Sequence, residues 1–579
     1  MNQERTTPPI NNGKFILIEV MVSLLGAASF LYLIFGRDGM DLTAYSFANA
    51  GDQRLNMLFH QWNLDWLRGA VPSDTSGYWD FYIFHPYRQS FALSSNHLGS
   101  LPIHFFLEFF TTDWFFRTNL WILLCYVLNY LSAYWATLIG LSRSKLTQPM
   151  GHLNHSLFAT LVAASFGFSM VRVNYIDHAQ TLPSFAAPWF LLWGYLALKQ
   201  HQIKPLIGAI FLFVWQCYLD LHIGLNLVLI SLLILCPYGL YILVARDWNR
   251  MKQHILFLGT FGLASLLLLT PLLLPYLETM DIMGTRPWHR GPALKSYFMP
   301  THYSTLFWDY LPRSGNDGVV LPHYWFTPLA IVFLLVLLFQ TVRGMLRRGD
   351  PMTLWILISV FAILVVYIDF MVHRSTLAHV IGLIPGLSSI RAPARFSIFL
   401  APLFLIGGLI FIALKSKGKA WPKGPTVLGL MLLATMFGES ATLKLNYWQR
   451  VSKPSLESVF QNLRGPAIFL PFGQSAYQQL DLMQYASQYK IRLGNGYSGF
   501  ELPDFNKLIK AEKNGTPVEE LVDYLAHTYY REVVVDTDRY PSAVNLPGPM
   551  VGRFKIIINQ KPAEIKEWQA VHGYFPGLF

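Results

Sequence analysis

Asp52 has the strongest chemical claim in this chain. It follows Gly51 at the entry of the stretch Gly51-Asp-Gln-Arg-Leu-Asn-Met-Leu-Phe-His-Gln-Trp-Asn-Leu-Asp-Trp. A carboxylate there serves either as a helix N-cap or as a general base toward a sugar hydroxyl. Asp38 and Asp41 sit nearer the preceding apolar run and are weaker candidates. Three short segments carry further polar groups. Asn96 and His97 stand in Ser94-Ser-Asn-His-Leu-Gly, His178 and Gln180 in Val173-Asn-Tyr-Ile-Asp-His-Ala-Gln-Thr, and Asp220 and His222 in Cys217-Tyr-Leu-Asp-Leu-His. A single histidine at a membrane boundary is ordinarily structural. Its recurrence in three segments, twice with Asp nearby, points to a shared polar cavity that binds substrate. Asp and His could hold a divalent ion, but no spacing matches a defined metal motif, so no metal ligand is assigned.

The candidate anion ligands are arginines. Arg391 and Arg395, in Ser388-Ser-Ile-Arg-Ala-Pro-Ala-Arg-Phe-Ser, are four apart and share a helix face. Planar donors at a helix N-terminus suit a phosphate; the competing reading is contact with lipid headgroups. Arg286, His289, Arg290 and Lys295 form a second basic cluster, with Arg286 as a further phosphate ligand. Tyr297, with Trp288, Tyr303 and Trp308, offers an aromatic wall for an acceptor. Glu19, Glu108 and Glu439 lie in or beside apolar stretches, where acids are costly and often functional.

The elements that must position these groups are mostly membrane spans. The chain of 579 residues is 53% hydrophobic and only 13% charged. Apolar stretches near 15–36, 115–141, 155–171, 182–198, 205–219, 224–245, 254–275, 325–343, 352–369, 396–414 and 425–442 predict about eleven transmembrane helices. The loops between them form two sets. Short loops are basic, as at 143–145, 199–204, 246–252, 343–348 and 415–423, whereas the long loops 37–100, 276–324 and 370–395 hold most acids, histidines and aromatics. Lys and Arg concentrate on the cytoplasmic side. The N-terminus is therefore cytoplasmic, and the polar loops and the C-terminal residues face outward. The same clustering explains the net charge of +11 and excludes nucleic acid as a partner. The apolar run 15–35 is too long for the core of a cleaved signal peptide and reads as a first span. Cys125, Cys217 and Cys236 all fall in apolar segments and form no disulfide framework.

Two domains follow. Residues 1–443 form the transmembrane domain, with a long first outer loop at 37–100. Residues 444–579 form a soluble extracytoplasmic domain. In the loop, Leu55, Leu58, Phe59, Trp62 and Trp66 have helical spacing. Residues 98–110 are too short to span and read as a helix lying at the interface, as does 292–310. In the tail, 467–471, 532–536 and 554–559 predict strands, and 456–463 and 518–526 predict helices, in an α/β or α+β arrangement.

On these motifs the chain resembles the GT-C superfamily of membrane glycosyltransferases, and more closely a bacterial family of large membrane proteins. The resemblance is carried by Gly51-Asp52 with Trp62, Phe84-His-Pro-Tyr, Asn96-His97-Leu98-Gly99, Asp177-His-Ala-Gln, Arg391-Ala-Pro-Ala-Arg-Phe and Asn495-Gly-Tyr-Ser-Gly-Phe. It implies inverting transfer of a sugar from a polyprenyl-phosphate donor to a glycan, lipid or protein acceptor outside the cytoplasm, in a bacterial inner membrane. It also implies Asp52 as the base and Arg391 and Arg395 as donor-phosphate ligands. The Asp-Glu pair of some relatives is absent, because Gln53 follows Asp52. A transporter or flippase of lipid-linked glycans is the chief alternative. Transporters place ionisable groups near the midplane, whereas here they collect at one face. A non-catalytic envelope scaffold is the third reading.

Overall fold

The computed structural model describes residues 13–36, 41–47, 51–144, 147, 150–283, 398–399, 402–403, 405–409, 423–441, 445, 447–450, 453–497 and 502–559. The expected spans 325–343 and 352–369, most of 396–414, and the expected interfacial element at 292–310 lie outside them. So do Arg286, Tyr297, Arg391, Arg395 and Asp38.

Helix α1 (Gly13–Leu31) ends in a π turn (Tyr32–Gly36). Strand β1 (Tyr45–Phe47), α2 (Asp52–Leu67) and α3 (Leu101–Glu108) follow. Then come α4 (Trp114–Arg143), α5 (His152–Gly167), α6 (Met170–Asn174), α7 (Ala186–Gln200), α8 (Ile203–Leu219), α9 (Leu221–Val244), α10 (Trp248–Met283) and α11 (Lys423–Ala441). Six helical stretches among the described residues are long and apolar enough to cross a membrane: Gly13–Gly36, Trp114–Arg143, His152–Val173, His178–Gln200, Leu221–Leu240 and Trp248–Thr279. Large apolar side chains stand bare along them, with Leu25 63%, Leu256 73% and Leu267 65% exposed. A water-soluble fold does not tolerate such surfaces; lipid does.

The chain divides into two compact units. The first comprises 1–42, 119–269 and 287–446; the second comprises 43–118, 270–286 and 447–579. In the first unit α5 packs directly on α4. A Cβ on Gly167 would come within 2.8 Å of the Tyr130 backbone nitrogen, so only glycine permits this approach. Phe158, Leu161, Val162 and Leu432 join α5 to α11. Helices α5 and α7 are short, at 16 and 15 residues. The chain between them runs through α6, a 3₁₀ turn (Tyr175–Thr181) and an irregular stretch at 182–185.

In the second unit, β2 (Tyr447–Gln449), α12 (Pro454–Asn462), β3 (Ala467–Leu470), α13 (Ala476–Tyr489), α14 (Pro503–Lys513), α15 (Val518–Ala526), β4 (Glu532–Asp536), β5 (Met550–Val551) and β6 (Phe554–Ile558) complete the chain order. The sheet runs β3-β4-β6-β5, with β3 and β4 parallel and the other pairs antiparallel. Its alternating faces are both covered, which explains the unbroken apolar runs. Ala467, Phe469 and Val534 face Phe460 and Tyr485 of α12 and α13. Ile468, Leu470, Val533 and Val535 face Leu508, Leu521 and Leu525 of α14 and α15 together with Phe59, Trp62 and Tyr82 from the first loop. That loop also extends the sheet edge. Leu493 N donates to Tyr82 O (2.7 Å), His85 N to Leu493 O (2.7 Å) and Phe84 N to Asn495 O (3.2 Å), while Leu493 bridges to Ala467 of β3.

The strands at 467–470, 532–536 and 554–558 and the helices α12 and α15 match the expected positions. Helix α2 matches too, and residues 53–65 are all buried. Its apolar residues Leu55, Leu58, Phe59 and Trp62 share one core cluster with first-loop segments and the α/β layers. Helix α3 leaves Phe105, Phe106, Phe109 and Phe110 exposed at its end.

Candidate functional site

The second unit holds Asp52, Asn96 and His97. Gly51 occupies the cap position without a side-chain cap bond, so Asp52 is the first helical residue. Its half-buried carboxylate lies where the exposed N–H groups and the helix dipole favour an anion. Tyr497 Oη donates to Asp52 Oδ1 at 3.4 Å. The next two residues are anchored. Ser46 Oγ donates to Gln53 Oε1 (2.6 Å), and Arg54 pairs with Asp481 at 2.7 Å and donates to Gln484 Oε1 at 2.8 Å. At the far end of α2, Asp65 accepts from Gln61 (2.8 Å), Tyr82 (3.1 Å) and Lys490. The helix is thus pinned at both ends by residues of the C-terminal segment, and Asp52 is held in place with it.

Asn96 and His97 lie against the same helix. Asn63 Nδ2 donates to Asn96 O (2.9 Å), and His97 Nε2 meets Asn56 Oδ1 at 3.1 Å. Asn56 is one turn along from Asp52 and so shares its face. Asn96 Oδ1 accepts from Leu98 N (2.8 Å), and Asn96 Nδ2 donates to Tyr276 Oη (3.2 Å). His97 adopts φ 53°, a left-handed conformation unusual outside glycine, and these bonds over-determine it.

Sequence reasoning missed two histidines beside it. His60 and His104 are buried with ring centroids 3.8 Å apart, and His60 is 5.1 Å from His97. Burial, followed by the neighbouring His104, His97 and Arg117, holds His60 well below the usual imidazole range. Burial, then Arg117 and His97, does the same for His104. Both rings are neutral at pH 7. Arg117 donates to Gln61 and pairs with Glu108 at 3.2 Å; Arg68 also pairs with Glu108. The signal in the sequence was three histidines within apolar stretches of a single loop. Their proximity depends on how α2 and α3 pack, which spacing does not reveal.

The first unit holds His178, Gln180, Asp220 and His222. His178 sits in the 3₁₀ turn with a non-helical φ of −111° and ψ of 60°. His178 and Gln180 are half-buried. Asp220 is buried between α8 and α9, and its Oδ1 accepts from Ile223 N at 2.8 Å, as a helix cap does. His222 is half-buried in the first turn of α9. Glu19, also in this unit, accepts from Ser156 Oγ (2.7 Å) and Tyr134 and lies 3.2 Å from His152.

Around the irregular stretch, side chains from three helices cap backbone carbonyls. Asn129 Nδ2 donates to Leu182 O (2.7 Å), Gln216 Nε2 to Pro183 O (2.8 Å) and Ser132 Oγ to Phe185 O. Arg172, buried at 1% exposure, joins them. Among the described residues, no group of three or more His, Cys, Asp or Glu side chains is arranged to hold a metal ion.

No protein-family model matches the chain. No curated protein matches it in sequence. Solved structures do. One is the oligosaccharyltransferase AglB from Archaeoglobus fulgidus in complex with an inhibitory peptide and a dolichol-phosphate. It has TM-score 0.44 and 10% identity, over 95% of this chain and 75% of that one. A second is the Archaeoglobus fulgidus oligosaccharyltransferase complex with Zn and sulfate, with TM-score 0.47 and 12% identity over 90% and 69%. A third, tethered to an acceptor peptide containing the NVT sequon, has TM-score 0.44 and 9% identity over 90% and 69%. These structural neighbours are oligosaccharyltransferases.

Proposed function

We propose that this chain is a GT-C-type integral-membrane glycosyltransferase. It moves a sugar, a hexose or a pentose, from a polyprenyl-phosphate-linked donor to an extracytoplasmic acceptor with inversion. The observation that carries the reading is the carboxylate of Asp52. It stands at the first position of a helix whose two ends are tied down by Arg54–Asp481 and Asp65–Lys490. A general base must meet its hydroxyl in a fixed geometry, and an immobilised helix end supplies that. A helix N-terminus also favours negative charge at that position.

In this reading Asp52 Oδ1 and Oδ2 orient and deprotonate the acceptor hydroxyl. The hydroxyl oxygen bonds the anomeric carbon as the bond to the phosphate oxygen breaks on the opposite face. Arg391, Arg395 and Arg286 receive the charge on the leaving phosphate. Asn96 and His97 line the Asp52 side; His178, Gln180, Asp220, His222 and Tyr297 contribute to sugar and acceptor recognition. About eleven crossings place the N-terminus in the cytoplasm of a bacterial cell and the C-terminal segment outside its inner membrane. The divided loop charges support this orientation. No nucleotide sugar is available on that side, so the donor is a lipid.

The test is Asp52→Asn, assayed with polyprenyl-phosphate sugars on purified full-length protein. Transfer falls by about 10²–10⁴-fold, the range for loss of a general base, at unchanged yield and melting temperature. Full activity in that variant would remove Asp52 from the mechanism.

A further inference from the structure

Four arginines are buried among the described residues: Arg54, Arg117, Arg172 and Arg492. Three face carboxylates, since Arg54 pairs with Asp481, Arg117 with Glu108, and Arg492 with Asp80 and Asp74. Arg172 does not. Its Nε donates to Phe166 O, its Nη1 to Leu182 O (3.3 Å) and its Nη2 to Ser184 Oγ (2.6 Å). The Phe166 ring lies 4.5 Å from the guanidinium carbon. Every one of these partners is neutral. A guanidinium has five N–H donors, so two have no acceptor among the described residues.

A permanent cation removed from water without a counter-charge is among the costliest arrangements in a protein. Here it lies near the end of the apolar stretch His152–Val173, which is long enough to cross a membrane. Asn129, midway along α4, bonds the same Leu182 carbonyl that Arg172 bonds. Capping a carbonyl needs only a neutral donor, and Asn129, Ser132 and Gln216 already provide three. The charge on Arg172 is surplus to that task.

We propose that Arg172 is the resident counter-charge for an anionic ligand, a phosphate group, that binds the first unit against the turn at 175–181. The neutral oxygens fix the guanidinium plane, and the unneutralised charge attracts the anion through a low-dielectric medium, where it acts over several ångström without direct contact. Among the described side chains of that turn, His178 and Gln180 are polar and half-buried, and the backbone at His178 is non-helical. The identification of the phosphate with that of a lipid donor rests on the transferase reading; the anion site itself does not.

The experiment compares farnesyl phosphate with farnesol binding to the full-length chain in nanodiscs of zwitterionic lipid, followed by tryptophan fluorescence. Wild type binds the phosphate at least tenfold more tightly than the alcohol. Arg172→Gln, which keeps hydrogen-bonding capacity and removes the charge, loses that preference while its farnesol affinity stays within twofold. Arg172→Lys restores most of it. A folded Arg172→Gln protein with the preference intact overturns the proposal, as does a wild type with none. Should Arg172→Gln not fold, a cryo-EM structure of the wild type with farnesyl phosphate decides. Phosphate density beside the 175–181 turn supports the site, and density only elsewhere overturns it. Competition by inorganic phosphate identifies a free anion as the ligand; competition only by prenyl phosphates identifies a lipid. Loss of transfer in Asp52→Asn with the preference retained in Arg172→Gln overturns this inference alone. The converse pattern overturns only the assignment of Asp52.

Discussion

The two units handle buried polarity in opposite ways. In the second, buried cations meet carboxylates: Arg54 with Asp481, Arg492 with Asp80, Arg117 with Glu108. In the first, Asn129, Ser132, Gln216 and Arg172 are spent on backbone carbonyls of a broken stretch. Irregular backbone inside a bilayer must find its hydrogen bonds within the protein, because lipid offers none. The α/β segment has its backbone satisfied by the sheet and helices, so its buried charges are left to join distant segments to one another.

This contrast can be broken in several places. The largest effect belongs to Arg492→Leu, which strands the buried Asp80 carboxylate and releases His85 Nδ1. Removing one partner of such a pair costs about 3–5 kcal/mol, read as a large drop in melting temperature of the purified protein. A loss under about 1 kcal/mol would mean that these pairs do not hold the second unit together.

Acid comes next. His85 is lowered to about 3 by burial, then by Arg492 and Arg88; His60 and His104 are lowered by burial and their charged neighbours. The folded state therefore binds fewer protons than the unfolded state below the unfolded value near 6.5. Stability is complete above that value and declines as pH falls from it toward the depressed folded values. Each such histidine contributes about 1.4 kcal/mol per pH unit within its window. Melting curves at pH 7.0 and 5.5 should diverge, and His60→Phe should reduce the gap. A gap unchanged by that substitution would remove His60 from the effect.

A smaller loss is expected in the membrane unit. Asn129→Leu leaves Leu182 O to Arg172 and Ser184 Oγ and strips Ser184 N of its acceptor. The cost is roughly 1–2 kcal/mol, within the range for one buried group left unsatisfied, and shows as a lower melting temperature in nanodiscs. Least of all is Arg450→Ala. Its pairing with Asp113 is 48% and 36% exposed, and such pairs contribute about 0–1 kcal/mol. If Arg450→Ala destabilised as much as Arg492→Leu, burial would not be what separates the two classes of pair.

Much of this fold was legible in the sequence, for stated reasons. Strands β3, β4 and β6 are buried on both faces and read as apolar runs; α2 declares itself by the spacing of Leu55, Leu58, Phe59 and Trp62. Helix α13 went unseen although Ser475 and Gln478 form a capping box whose pattern was available to find it. Helix α14 went unseen too, although Phe505, Leu508 and Ile509 have helical spacing. At the candidate site, Asp52, Asn96 and His97 stood out as polar residues in a distinctive loop. Tyr497 stood in the motif Asn495-Gly-Tyr-Ser-Gly-Phe, but its meeting with α2, like that of Lys490, joins residues more than 400 apart, which spacing does not reveal. Arg172 lies just past the expected span 155–171 and carried no signal in the sequence; only its neutral surroundings give it meaning.

The second unit is assembled from three stretches of chain, the first closing at Thr118 and the last opening at Tyr447. Its biogenesis is constrained by that discontinuity. Synthesis at about 5–20 residues per second puts an interval on the order of 15–65 s between the two. Throughout it, Phe84 lacks Phe505, His85 lacks Tyr529 and Tyr530, and the edge at 82–85 has no strand to join. The nascent loop is therefore a client for holding factors until the ribosome has all but finished, and a truncation anywhere before β4 forfeits the setting of Asp52 along with the tail.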